Sequence, residues 1–503
     1  MLPLRSKVTL FLLSAAAAGA QYAPPSPPTP LPGAIDAYLA ANDPLLNGWD
    51  FGVNERLRYE DKTDAGTTHA GSNFDFFANP ATTNSNEYWL NRVMPRISYS
   101  DAWFTAYVEA RSSYSIGDDR YTSTAAGKNL AEDDGPFQLQ MAYLQFGNLK
   151  AEPFTLKVGR QELTYGEGRL VGNAFWLNIP HTFDAVRARY QDSFFGVDLF
   201  AARLVYVSED HAEESRPQDT LSGAYFDFPG LSKANVTELY VFARNVPRSI
   251  IGDNWTHVPA PFRFTAPQDT YTFGYRTKTK PGAFGPWDYG IELMGQTGDR
   301  TAVFPGTSVA AAKVAPRLNQ DAWAFVLQGS YTWKDVPMTP KAAVIVSWAS
   351  GDRSSTDKDS QTFQNILPSN HGLYGSMDLS SLQNIEDYRL SFSVKPTKAT
   401  SLALDFHQQY LENTHDFWYN VAGVPRNTAG ATPGSGKGFG INPTYSDDIG
   451  QEVDLVGGWT LAKGVLLEGG LGHFFRGEYV KESLRVVGSK DGDYGYVQVT
   501  LNF

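Results

Sequence analysis

The chain has 503 residues with 26 Tyr, 31 Phe, 11 Trp and 46 Gly, no Cys, and 54 acidic against 42 basic residues for a formal net charge of −12. Without cysteine there is no disulfide framework, no thiolate nucleophile and no thiolate-bound metal, and the acidic balance excludes the broad basic surface that a nucleic-acid partner requires. No stretch supplies the ~20 uninterrupted apolar residues of a membrane-crossing helix, which excludes a helical membrane protein.

At the start of the chain, Arg5 and Lys7 precede an apolar run from Val8 to Leu13 and small residues ending Ala18-Gly19-Ala20. This pattern predicts a secretory signal over residues 1–20, cleaved before Gln21. Residues 21–48 open with Pro24, Pro25, Pro27, Pro28, Pro30 and Pro32. Proline at that density keeps the backbone extended and unpaired, so the segment reads as a periplasmic spacer, with a short helix predicted at Ala34 to Ala41.

From Trp49 to Phe503 the recurring unit is a run of about ten residues alternating apolar and polar, the length of a tilted membrane strand. Phe154, Leu156 and Val158 oppose Thr155 and Lys157, while Val186, Ala188 and Tyr190 oppose Arg187 and Arg189. Leu390, Phe392 and Val394 oppose Arg389, Ser391, Ser393 and Lys395; Val453, Leu455 and Trp459 oppose Glu452 and Asp454. A period of two sends one set outward to lipid and the other inward to water.

A soluble sandwich also alternates, so the connections decide between them. Tight turns at Tyr99 to Ala102, Gln191 to Ser193, Lys334 to Thr339, Lys395 to Lys398 and Ala462 to Gly464 interleave with long polar loops at Ile116 to Pro136, Gly351 to Asn384 and Glu412 to Gly450. Short periplasmic turns alternating with long extracellular loops predict an all-β fold, a transmembrane antiparallel β-barrel. The clean strands number odd, which would put the loop after Trp348 on the wrong side. Leu221 to Phe228, followed by Pro229-Gly230-Leu231-Ser232, supplies the missing strand and brings the total to about 18, a size expected to hold an aqueous channel. The last segment, Gly495 to Phe503, alternates to an aromatic end, as a closing strand should.

The stretch VGRQELTYGEGRLVGNAFWLNIPHTFDAVRARY (Val158 to Tyr190) resembles the alginate export family of outer-membrane barrels, as do WASGD at Trp348 to Asp352, TFQNILPSNHGLYGSMDL at Thr362 to Leu379 and the terminal strand. The resemblance runs from about Trp49 to Phe503. It implies a diderm outer membrane, with lipid and the barrel assembly machinery as partners, and a channel passing a polyuronate-like anionic saccharide through an arginine-rich constriction. Matching motif positions imply Arg160, Arg187, Arg189, Arg56 and Arg58 as the constriction arginines, with Glu109, Asp184 and Glu292 as balancing carboxylates.

Arg92, Arg96, Arg111 and Arg389 extend the set of strand arginines. Guanidinium groups grip carboxylates in bidentate fashion and stay charged, which suits an anion-recognising pore. Arginines pairing with Asp or Glu across strands to hold the barrel's shape would look the same in sequence, and the two readings stand side by side.

GATPGSGKG at Gly430 to Gly438 departs from the Walker pattern, having five residues between its glycines and Gly after Lys437, and reads as a loop. His371, His407 and His415 stand singly, with no H-E-x-x-H, and no Ser, His and acid set forms a nucleophile elbow. The expectation is therefore a passive channel without catalytic residues, metal or cofactor. A nutrient-uptake anion porin is the first alternative, and a barrel-based surface enzyme or adhesin the second.

Overall fold

The computed structural model describes residues 38–503 apart from 40, 67–72, 81–82, 119–136, 149–151, 207–211, 251–266, 303–308 and 429–430. The expected secretory signal, the proline run and most of the helix at Ala34 to Ala41 lie outside the described residues. Among the described residues no helix is long and apolar enough to cross a membrane.

The strands follow in chain order: β1 (Trp49–Thr63), β2 (Asn86–Ser100), β3 (Phe104–Ile116), β4 (Gln138–Phe146), β5 (Phe154–Gln161), β6 (Phe183–Gln191), β7 (Gly196–Tyr206), β8 (Glu214–Asp227), β9 (Asn235–Val246) and β10 (Gln268–Thr279). They continue with β11 (Trp287–Thr301), β12 (Arg317–Thr332), β13 (Lys341–Ala349), β14 (Asp359–Ser360), β15 (Ile385–Thr397), β16 (Thr400–Tyr410), β17 (Asp448–Ala462), β18 (Val465–Arg476) and β19 (Gly492–Asn502). All but the two-residue β14 form one antiparallel ring of 18 strands in which each pairs with its sequence neighbours. The strand expected at Leu221 to Phe228 is β8, which begins earlier, at Glu214.

Closure joins β1 to β19 from Asn54↔Asn502 to Thr63↔Asp493. Phe503 extends the ladder: its N–H donates to the Val53 carbonyl at 3.0 Å, and its carbonyl accepts the Val53 N–H at 3.1 Å. Arg96 clamps the seam, donating to the Phe503 carbonyl at 3.0 Å and pairing with Asp50 at 2.9 Å. Gly52 makes room for this clamp, since a Cβ there would collide with the Arg96 guanidinium.

The turn end of the ring is built as the sequence proposes. At the tight turns, aspartates accept backbone N–H groups that the reversing chain would otherwise leave bare. Asp101 Oδ1 caps Trp103 and Phe104 at 2.9 and 2.8 Å, and Asp192 Oδ1 caps Phe194 and Phe195 at 2.7 and 2.9 Å. Aromatic pairs mark the two edges of the apolar band, Trp49–Tyr99 and Phe104–Phe146 at the turn end and Tyr59–Trp89 and Phe325–Trp348 toward the loops. Interfacial aromatics of this kind girdle membrane barrels.

Alternation assigns the two faces. Phe154, Val158, Leu144 and Val186 point outward and exposed, whereas Thr155 is buried toward the lumen. Arginine in place of Leu156 or Val186 is therefore expected to cost ~2–4 kcal/mol if the residue lies near the bilayer midplane, read as a lowered urea midpoint for the barrel in liposomes. Thr155→Arg should instead alter conductance more than folding. Equal tolerance of charge at all three positions would reverse the assignment of inside and outside.

Candidate functional site

Two of the long connections turn into the ring. The β5–β6 loop (residues 162–182) and the β13–β15 loop (residues 350–384) meet inside it. Val171 and Leu367 form a parallel bridge. The Leu367 N–H donates to the Leu170 carbonyl at 2.8 Å, the Gly172 N–H to the Leu367 carbonyl at 2.9 Å and the Ser369 N–H to the Gly168 carbonyl at 2.8 Å. Leu163, Tyr165, Leu170, Val171, Phe363, Leu367, Leu373 and Tyr374 bury their side chains in one cluster with inward residues of β6 to β13 such as Phe200, Phe242, Val326 and Ile345. Apolar burial of about 25 cal/mol per Å2 holds such a cluster together, so the two loops form a crosspiece spanning the lumen rather than a solvated fringe.

Arginines brace one end of the crosspiece. Arg56 donates from Nη1 to the carbonyls of Phe175 and Trp176, both at 3.0 Å, and from Nη2 to that of Leu177 at 3.0 Å. Arg58 donates to the Trp176 carbonyl at 2.8 Å, lies 3.9 Å from the centre of the Trp176 ring and pairs with Glu60 at 2.7 Å. Arg92 reaches the carbonyls of Phe175 and Leu177 at 3.1 and 3.0 Å and stacks over the Phe175 ring. Guanidinium suits this work, since its fork satisfies several carbonyls at once while its flat face covers an aromatic ring. Asn178 completes the attachment, its amide donating to the carbonyls of Asn91 and Tyr114.

The other end is held by an ion network. Arg276 bridges Glu238 and Glu167, the latter at 2.6 Å. Arg169 takes Glu167 at 3.0 Å, Glu292 at 3.6 Å and the Tyr374 hydroxyl at 3.2 Å, and the Tyr240 hydroxyl donates to Glu292 at 2.8 Å. Burial alone would raise the Glu167 carboxyl, but the Arg169 and Arg276 guanidiniums hold it below the usual carboxylate range. Glu162, on the same loop, is pushed upward by burial against the opposing amide of Asn173. His181 is lowered to about 4 by burial, so the crosspiece carries it as a neutral ring at physiological pH.

On the turn side of Tyr165, the inward faces of β5 and β6 carry a ladder of cations. Register sets Lys157 opposite Arg187 and Thr155 opposite Arg189. Arg187 pairs with Asp198 at 2.7 Å, and Arg189 with Asp198 at 2.8 Å and Asp227 at 2.7 Å. Lys157 lies 4.1 Å from the centre of the Tyr143 ring. Across the ring from this ladder the inward faces of β15 to β18 are acidic: Asp387, Asp405, Glu452, Asp454 and Glu468, with Arg389 paired to Asp405 at 2.7 Å and His407 to Asp387 at 2.8 Å. Glu452 and Asp454 accept the backbone N–H groups of Met377 and Ser376, fastening the second loop to this wall.

The residues expected from sequence thus divide into groups. Arg56, Arg58 and Arg92 face inward but are nearly fully buried beneath the crosspiece. Arg96 lies at the barrel seam. Glu109 faces inward and accepts the Tyr107 hydroxyl at 2.8 Å, and Glu292 belongs to the ion network. Arg160 and Asp184 require a correction. They are paired with each other at 2.9 Å, but strand parity puts Arg160 on the face of Phe154 and Val158, and Asp184 on that of Val186, so both belong to the outward face near the loop rim. The alternation of β5 by itself puts Arg160 in the row of Phe154, Leu156 and Val158. Of the arginines expected in the lumen, Arg187 keeps the most accessible side chain, at 29%, and Arg189 follows at 17%. Lys157, Asp198 and Asp227 complete that ladder and were not singled out, although the period of two in β5, β7 and β8 places them inward.

Among the described residues no group of three or more His, Asp or Glu side chains converges as metal ligands. Residues 431–438 of the glycine-rich run are loop, with the Gly438 N–H bonded to the Ser483 carbonyl, and Gly430 lies outside the described residues.

The alginate export family matches residues 50–490. No curated protein sequence matches the chain. Among solved structures, the chain is similar in fold to OccD3 (OpdP) of Pseudomonas aeruginosa, with a TM-score of 0.52 at 11% identity, covering 91% of each chain. A BenF-like porin from Pseudomonas fluorescens Pf-5 has a TM-score of 0.51 at 11% identity, covering 91% of this chain and 99% of the porin. OccK2 (OpdF) of Pseudomonas aeruginosa in complex with glucuronate has a TM-score of 0.51 at 11% identity, covering 90% of this chain and 98% of that one.

Proposed function

The chain belongs to the alginate export family and is a channel of the bacterial outer membrane; from that premise we propose that its cargo is an anionic saccharide of the polyuronate class, moving passively. The observation that carries this reading is the accessible ladder of Lys157, Arg187 and Arg189, in which three cations meet the two carboxylates of Asp198 and Asp227. A carboxylate about 4 Å from one cation gains ~1 kcal/mol at water-like dielectric and ~4 kcal/mol at an effective dielectric of about 20. Contacts of that size favour entry without preventing release, which conduction requires. Outer-membrane lipid and the assembly machinery complete the partners, and no step calls for catalysis or a cofactor.

A second reading, a porin for small sugar acids, is favoured by the crosspiece, which obstructs a chain more than a monomer, and by the glucuronate complex of the similar barrel. Single-channel recording in planar bilayers separates the two. A reversal potential of anion-selective sign, with block by oligouronates at lower concentration than by monomeric glucuronate, is the expected result. Block by the monomer alone favours the second reading, and cation selectivity overturns both.

A further inference from the structure

The ladder on β5 and β6 holds donors that the protein itself leaves unused. Arg189 engages all three of its nitrogens, Nη1 with Asp198, Nη2 with Asp227 and Gln191, and Nε with Gln191. Arg187 engages one edge only, Nε and Nη2 donating to the two oxygens of Asp198 at 2.7 and 2.8 Å. Its Nη1 has no partner among the described residues, and its side chain is the more accessible of the two. Lys157, opposite Arg187 in the register, lies over the Tyr143 ring and makes no hydrogen bond or ion pair among the described residues. Glu162 and Asp198 act on its charge without bonding to it.

A third donor comes from the crosspiece. Tyr165 is only 7% exposed, and its hydroxyl is buried without a hydrogen-bond partner. The ring stacks on Phe200 and Tyr225, with centroids 5.1 and 4.9 Å apart. Phe200 stands opposite Arg187 on β7, so the stack brings the phenol to the ladder. Its ring centre lies 5.8 Å from the Arg187 Cζ, and the charges that act on its hydroxyl are Arg187, Asp198 and Arg189. The backbone fixes it there, the Tyr165 N–H donating to the Val171 carbonyl at 3.1 Å and the Tyr165 carbonyl accepting the Gly168 N–H at 2.9 Å. A buried donor left without an acceptor is costly, and a group from outside the protein is what would relieve it.

We infer that Lys157, Arg187 and Tyr165 form one carboxylate subsite, an inference that rests on the reading of the cargo given above. The free Nη1 of Arg187 and the ammonium of Lys157 donate to the carboxylate, as charge-assisted bonds, and the Tyr165 hydroxyl donates to the oxygen nearest the crosspiece. Asp198, on the other edge of Arg187, keeps the guanidinium turned to present Nη1. The two cations attract any anion, whereas the phenol donates along one line and so favours a carboxylate whose position a sugar ring fixes. The ladder thereby reads one uronate at a time, with Arg189 adding charge and no free nitrogen.

Block of single channels of the full-length protein by trigalacturonate, with its methyl ester as the neutral counterpart, tests the subsite. Tyr165→Phe removes a hydroxyl and no charge. A hydrogen bond to a charged group is worth about tenfold or more in binding, so block by trigalacturonate should weaken about tenfold while the reversal potential in a salt gradient stays that of the unsubstituted channel. The urea midpoint should hold or rise, because the substitution removes a donor that the fold leaves unsatisfied. Lys157→Met should weaken block and lower anion preference together, and the ester should block none of these channels. Unchanged block in either variant, a urea midpoint lowered by Tyr165→Phe, which would mean that the hydroxyl is bonded within the protein, or equal block by acid and ester would overturn the subsite while leaving an anion channel in place. Cation selectivity of the unsubstituted channel would overturn the reading of the cargo, and the subsite with it.

Discussion

Replacing Arg56 and Arg92 together with alanine should raise the single-channel conductance several-fold while the barrel still assembles. These side chains donate to the carbonyls of Phe175, Trp176 and Leu177, and they lie outside the hydrogen-bonded ladder of the wall. Each buried acceptor left without a donor costs ~1–3 kcal/mol. Since 1.4 kcal/mol is a factor of about ten in an equilibrium, losing two or three such bonds moves the held loop strongly toward release. Arg58→Ala should do less, because Arg56 still holds the Trp176 carbonyl and Arg92 those of Phe175 and Leu177. Conductance is the readout, and retained heat-modifiability shows that the ring has closed. An unchanged conductance in the folded double variant would mean that the apolar cluster and the Val171–Leu367 bridge hold the crosspiece without the arginines.

The second large effect is on selectivity. Arg187→Gln with Arg189→Gln removes two cations and also strips Asp198 and Asp227 of their partners, so the ladder passes from an excess of positive charge to an excess of negative. Permeating ions respond to the nearest lumen charges, because more distant ones, including most of the net −12, are screened beyond about 10 Å at 0.1 M salt. One charge at about 4 Å is worth ~1 kcal/mol even at water-like dielectric, which is roughly fivefold in local ion concentration. Anion preference should therefore fall at least that far or invert, and oligouronate block should weaken in step. Folding should hold, since both side chains are partly water-exposed. The reversal potential in a salt gradient measures the result; an unaltered value would make these arginines members of a structural ladder and remove the observation on which the cargo rests.

The wall was legible in the sequence because its determinants are local. A period of two, turn residues at short connections and the parity of long and short links were enough to locate even β8, whose own pattern is weak. The interior was not legible, for a physical reason. The acceptors for Arg56 and Arg92 are backbone carbonyls, which every residue possesses, lying 120 positions from Arg56 and 83 to 85 from Arg92; no residue type at 175–177 could have announced that role. The loop at 350–384 looked polar because Ser, Asn, Gly and Asp dominate it, yet the scattered Phe363, Leu367, Leu373 and Tyr374 are what decide where it packs. Resemblance to a family identified arginines worth watching, but each arginine's surroundings determined whether it braces a loop, seals a seam or faces the lumen.

The crosspiece also constrains the order of assembly. Arg169 and Tyr374, which touch in it, lie 205 positions apart, and contacts of such span cannot form until the chain between them has been gathered into sheet. The two loops can thus interlock only after β5 through β15 are in register. The interlocked loops are then enclosed by a ring whose last seam, β1 against β19, joins the two ends of the barrel-forming chain. The inner tie and the outer seam are late events, and a chain that zips the seam with a loop left outside must thread it back through the open rim. Slow folding is therefore expected to reside in the loops, with a sheet that is complete by circular dichroism before the lumen has taken its final shape.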